Sequence, residues 1–183
     1  PILEPHRGPA SVAAAPRTLR VHRRPLLIAG ARGNLGRAFV QICEQRGLAF
    51  HVCARDEFDI CCPRTVEDTL RALRPWALVN AAGYVRVDEA ERDGARCYRE
   101  NFRGPSQLAS SCEAHGVRLV TFSSDLVFDG AAVAPYVESS PVSPLNTYGH
   151  SKVMAEQSVL QRNPQALVIR TSSFFGPWHP HDF

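Results

Sequence analysis

Short, largely apolar runs alternate along this chain with longer stretches whose apolar residues recur every three or four positions. Residues 26–29, 50–53, 76–79, 117–122 and 166–170 read as strands, and 35–46, 66–73, 93–115 and 147–160 as the helices between them. Strands apolar on both faces and separated by helices predict an α/β fold, a doubly wound parallel sheet of the Rossmann type. Its crossovers are right-handed, and its ligand crevice lies at the carboxyl ends of the strands.

The pattern stops short of residue 25. Pro1, Pro5, Pro9 and Pro16, a run of alanines, and Arg17, Arg20, Arg23 and Arg24 make residues 1–24 a basic Pro/Ala-rich linker or tail. Residues 25–183 form the folded domain, and an additional domain N-terminal to the linker is an open expectation. A start at Pro1 reads as a piece excised from a longer product. The length of 183 residues suits one domain with a proper core.

Composition narrows the function classes. Apolar residues are 44% and charged residues 21% of the chain, as in ordinary globular proteins. The net charge of +3 owes much to the first two dozen residues, so nucleic acid is not an expected partner. No apolar run approaches the ~18 residues that cross a bilayer, and no secretory signal opens the chain. The six cysteines form no CxxC pair and have no histidine at zinc-finger spacing, which predicts no metal and free thiols in a reducing cytoplasm. Cys43, Cys53 and Cys112 read as small core residues.

Four loops at strand carboxyl ends carry the chemistry. Gly30-Ala31-Arg32-Gly33-Asn34-Leu35-Gly36 joins the first strand to the first helix with G-x-x-G-x-x-G spacing. Gly30 closes the strand, Gly33 lets a pyrophosphate approach the backbone, and Gly36 packs the helix on the sheet. Such a turn is weak evidence alone, but its place between strand and helix strengthens it. After the second strand, Arg55 together with Arg32 favours a 2′-phosphate, hence NADP with NAD as the alternative, and Asp59-Ile60 is placed to meet adenine. Asn80-Ala81-Ala82-Gly83 ends the third strand with small residues against which a flat ring can lie, and Tyr84 follows as a further dinucleotide contact. Ser124, after the fourth strand, can donate to a carbonyl becoming an alkoxide.

Tyr148 and Lys152 lie four apart, one helical turn, and so share a face. Alone such a pair is usually two surface neighbours. With the glycine turn and the serine loop it becomes a catalytic set: Tyr148 the general acid, Lys152 its cationic neighbour and a contact of the nicotinamide ribose. A charge 4 Å away contributes ~4 kcal/mol at an effective dielectric of 20. That is enough to draw a phenol from about 10 toward neutrality.

These residues resemble the extended short-chain dehydrogenase/reductases, and among them the dTDP-4-dehydrorhamnose reductases, from about Pro25 to Phe183. The resemblance rests on the glycine turn, Asn80-Ala81-Ala82, Val87-Asp88-Glu89-Ala90-Glu91, the segment 123–130, the segment 144–152 and Arg170-Thr171-Ser172. It implies a Rossmann fold and an enzyme reducing a 4-keto group on a nucleotide-activated deoxysugar with NADPH or NADH. Ser124, Tyr148 and Lys152 fall on the family's catalytic triad, with serine where threonine is common. Leu126 replaces a usual tyrosine and Ser173 a common tryptophan. Asp125 is followed by leucine rather than the second carboxylate of the related dehydratases, which argues against dehydration. The resemblance further implies a smaller sugar-binding lobe that is largely missing here, so this stretch alone is expected to be inactive. A homodimer is left open. The alternatives are a non-catalytic NADP-binding regulatory subunit of the same fold and a nucleotide-sugar epimerase.

Overall fold

The computed structural model describes residues 24–53 and 55–174. The tail expected over 1–24 lies outside these residues apart from Arg24. That arginine is not tail-like: its guanidinium donates to the carbonyls of Arg74 and Pro75.

Strands β1 (Leu26–Ala29) and β3 (Ala77–Asn80) are buried along their whole length. They pair with each other in parallel, Leu26 opposite Ala77 and Ala29 opposite Asn80. Around them lie β2 (Phe50–Val52), β4 (Arg118–Phe122) and β5 (Leu167–Ile169). The five strands run in the order β2-β1-β3-β4-β5, all parallel. The chain leaves β1 toward one edge and returns past it toward the other. That reversal places a crevice between the carboxyl ends of β1 and β3.

The two-residue period of a strand divides the core into two layers. Leu27, Ala29, Leu78 and Leu119 face helices α2 (Pro63–Leu73), α4 (Gly104–His115) and α5 (Thr147–Arg162), meeting Val66, Leu70, Leu108 and Val159. Leu26, Ile28, Ala77 and Val79 face α1 (Asn34–Gln45), which contributes Phe39, Val40 and Cys43. The expected doubly wound sheet is therefore the observed one.

The single helix expected over 93–115 is built differently. It starts as α3 (Gly94–Tyr98), widens into a π-helical turn at Arg99–Arg103, and resumes as α4. Pro105 supplies a reason, since it has no N–H to donate to the carbonyl four residues back, at Asn101. Helix α4 ends at Gly116, in the left-handed region at φ 61°.

Leu78, fully buried on β3 between β1 and β4, makes the fold testable. Leu78→Ala is expected to cost about 2–5 kcal/mol, read from the urea midpoint. A loss below about 1 kcal/mol would mean that this strand is not central.

Candidate active site

The crevice holds a cavity of about 340 Å³. Gly30, Ala31, Arg32 and Gly33 form one wall, Ala81, Ala82 and Gly83 the other, and Cys53, Arg55 and residues 58–61 close one end. Gly30 has φ 79°, and a Cβ there would stand 2.5 Å from the Ala82 nitrogen. The two strand ends can approach this closely only without that side chain. A Cβ on Gly33 would meet nothing nearer than the Gly30 carbonyl at 3.5 Å, so only a ligand would exclude a side chain from that position. Gly33 is also the N-cap of α1, whose first turn carries no acid, and that end of the helix favours an anion. Gly36 packs against Gly30 behind the turn. Asn34, Leu35 and Gly36 belong to α1, and none of them lines the cavity.

At the far end the expected dinucleotide contacts are engaged by other side chains. The Arg55 guanidinium pairs with the Glu100 carboxylate. Asp59 accepts from the Arg99 guanidinium at 2.8 Å and from the Cys61 amide at 2.9 Å. Ile60 is buried beneath Gly104, with only part of the residue reaching the cavity. Cys53, read as a core residue, packs against the core and also lines this end.

Two sequence expectations are corrected at the third loop. Tyr84 does not reach the cavity: its ring is buried with Ala90 and Cys97 against Tyr148, and Val85 lines the crevice in its place. Asn80 is buried and holds its loop, donating to the Thr121 hydroxyl at 3.1 Å and accepting from the Ala82 amide at 3.2 Å. Both changes follow from burial: the Asn80 amide finds its partners within the sheet end and its loop, and the Tyr84 ring joins a small apolar cluster.

Helix α5 is delivered to the crevice by its first turn. Asn146 caps it, accepting from the Gly149 amide at 2.6 Å, and Glu91 accepts from the Thr147 amide and hydroxyl at 2.7 and 2.9 Å. Gly149 lies against the Leu126 carbonyl, so the helix abuts the loop bearing Ser124. The Ser124 hydroxyl donates to Asp125 at 3.0 Å and accepts from the Leu126 amide at 3.1 Å, and it lies near enough to the Tyr148 phenol to favour its ionised form slightly. The Lys152 ammonium stands 5.5 Å from the Tyr148 ring centre and donates to the Phe122 carbonyl at 3.2 Å. It also lies 4.0 Å from the space that a Gly83 side chain would fill, which is where the cavity begins. Hydroxyl, phenol and amine therefore lie near one another, with the amine beside the Gly83 side of the groove.

The expected pull of the phenol toward neutrality is absent. Burial pushes Tyr148 up to about 12, with Cys97 and Asp125 adding to the rise and the nearby Ser124 hydroxyl opposing it. Burial also lowers Lys152 to about 8, against smaller opposing effects from Cys97 and Glu156. A dry setting disfavours the charged form of each group, and the ammonium is directed at a carbonyl rather than at the phenol oxygen. The phenol is held protonated, as a proton donor must be.

Residues that sequence reasoning missed tie the parts together. Asn101 is buried in the π-helical turn. Its side chain accepts from the Tyr84 amide at 2.8 Å and donates to the Tyr84 carbonyl at 3.0 Å and the Ser151 hydroxyl at 3.2 Å. It thus clamps the loop after β3 to α5. Pro105 was the available signal, since it marks a break in the helical ladder at Asn101. Glu100, beside it, carried no such signal: with Arg96 four residues earlier it reads as a solvated helix pair.

A family model described as the RmlD substrate binding domain matches residues 24–183. A dTDP-4-dehydrorhamnose reductase from Streptomyces griseus is 35% identical over 156 residues, covering 85% of this chain and 51% of that protein. A dTDP-4-keto-6-deoxy-D-glucose reductase from Streptomyces niveus is 38% identical, covering 82% and 52%. The crystal structure of dTDP-4-dehydrorhamnose reductase from Bacillus anthracis in complex with NADP superposes with a TM-score of 0.82 at 28% identity, covering 86% of this chain and 56% of that one. The chain spans about half the length of the curated relatives it matches.

The two shifted groups have opposite effects on stability. Lys152, at about 8 in the fold against an ordinary 10.5, binds its proton less readily when folded, so stability rises as pH climbs between those values. Tyr148, raised from 10 to about 12, contributes fully below 10 and loses that contribution toward 12. Lys152→Met removes only the first effect. The wild-type-minus-variant difference in urea unfolding free energy is expected to grow between about pH 8 and 10, by on the order of 1–3 kcal/mol. A difference independent of pH would show that the ammonium is not desolvated.

Proposed function

The chain belongs to the RmlD-like family of short-chain dehydrogenase/reductases, and from that premise we propose that residues 25–183 form the dinucleotide-binding half of an NADPH-dependent reductase. Its substrate is a nucleotide-linked deoxysugar with a keto group at carbon 4, and we assign the holding of that sugar mainly to residues outside this half. The observation that carries the reading is the placement of the Lys152 ammonium, 5.5 Å from the Tyr148 ring centre and 4.0 Å from the space a Gly83 side chain would fill at the cavity wall.

The cavity fits the cofactor on its own features. A glycine turn leaves open space at Gly33, an acid-free helix terminus favours the pyrophosphate, and Arg32 in the glycine wall and Arg55 at the closed end both line the cavity. These two arginines support NADP over NAD. Bound there, the nicotinamide supplies the hydride. The remaining work falls to this chain. The Ser124 hydroxyl turns its one proton from Asp125 to the substrate oxygen as negative charge develops on that oxygen. Tyr148 gives that oxygen its proton. The Lys152 ammonium, beside the ring, offsets the charge left on the phenol oxygen. Asp125 is followed by Leu126, so no second carboxylate is placed for elimination of water.

The test pairs dinucleotide binding, followed by fluorescence, with NADPH oxidation on a nucleotide-linked 4-keto-6-deoxysugar by protein that includes the sugar-holding half. Tyr148→Phe is expected to lower turnover by about 10²–10⁴-fold with dinucleotide affinity unchanged. Intact binding with no turnover in the unmodified protein would instead favour a regulatory dinucleotide-binding subunit.

A further inference from the structure

Glu100 has no part in the chemistry assigned to Ser124, Tyr148 and Lys152, yet it is a charged group placed in the wall of the same cavity. Its side chain is only 7% exposed. Two guanidinium groups converge on it: Arg55, arriving from the loop after β2, and Arg96, one helical turn earlier. Burial alone would raise this carboxyl, but the hydrogen bonds from Arg55 and Arg96 hold it below the usual carboxylate range. It is therefore ionised at neutral pH. The π-helical turn explains its position. Glu100 points to the cavity while its neighbour Asn101 points to Tyr84 and Ser151.

A 2′-phosphate on adenosine needs a guanidinium that can offer its donor fork, and Arg55 is the one whose guanidinium already bonds a carboxylate across the cavity end. A carboxylate in that place repels the phosphate and occupies the same donors. An unphosphorylated 2′-hydroxyl meets neither obstacle. We propose that Glu100 sets the cofactor preference of this site by competing with the adenosine 2′-phosphate for Arg55, so that discrimination in favour of NADP is weaker than Arg32 and Arg55 would give without it. Arg96 moderates the competition by sharing the carboxylate. The proposal rests on the reading of the cavity as a nicotinamide dinucleotide site.

Titration of the full chain with NADPH and with NADH, followed by fluorescence, tests it through the ratio of the two affinities. A merely structural ion pair would weaken both ligands together and leave that ratio unchanged. Glu100→Gln keeps the shape of the side chain, and its two partners are half exposed and can rehydrate. It is expected to raise the NADPH:NADH affinity ratio about fivefold to tenfold by tightening NADPH, the size of a charge-pair effect half in water. Arg96→Gln leaves the carboxylate to Arg55 alone and is expected to lower the ratio. If Glu100→Gln fails to fold, Arg96→Gln decides the matter by itself. A ratio that stays constant or moves in the opposite direction overturns the proposal while leaving dinucleotide binding intact. Wild-type protein that binds neither ligand overturns the dinucleotide reading and this inference with it.

Discussion

Between β1 and β3 the backbone of Gly30 lies against the peptide joining Ala81 and Ala82, too close for any side chain to intervene. The crevice depends on that contact. Two central strands converge at their carboxyl ends, and small residues on both sides leave open a groove that runs from the N-terminus of α1 to Gly83. The same economy of side chains lets Gly83 stand beside the Lys152 ammonium and Gly149 beside the Leu126 carbonyl. Close backbone approach thus joins the proposed seat of a phosphate to the end where proton transfer is proposed.

The two ends of the groove differ in their electrostatics. At the Tyr148 end the interactions are hydrogen bonds among largely neutral groups in a dry setting, which keeps the phenol protonated and weakens the hold of Lys152 on its proton. At the Arg55 end three guanidinium groups meet two carboxylates, Arg55 and Arg96 on Glu100 and Arg99 on Asp59. A further ion pair lies outside the groove: Arg170 meets the buried Glu156 through two bonds, at 2.9 and 2.7 Å, tying the end of β5 to α5. Removing one partner of such a pair would leave an uncompensated charge. These contacts fix the positions of the helices that carry the site.

Much of the architecture was legible in the order of residues. Apolar runs at β1 and β3 specify strands covered on both faces, and the intervening helices require a parallel sheet. The glycine turn and the Tyr148–Lys152 spacing pointed to one crevice because each follows a strand or opens a helix. Local periodicity is a property of neighbouring residues, and neighbouring residues are all that a sequence displays directly.

The folded chain alone decided which way each loop side chain faces. Tyr84 turned into a small core, Asn80 bonded its own loop, and Arg55 found a carboxylate 45 positions away that no local pattern had placed beside it. The protonated state of Tyr148 was likewise decided by burial, because desolvation sums over every atom packed around the phenol, whereas the separation of Tyr148 and Lys152 accounts for only one of them. Sequence determined the elements and their order, through rules that act within a few residues. Tertiary structure decided charge state and side-chain direction, because these depend on groups brought together from distant parts of the chain.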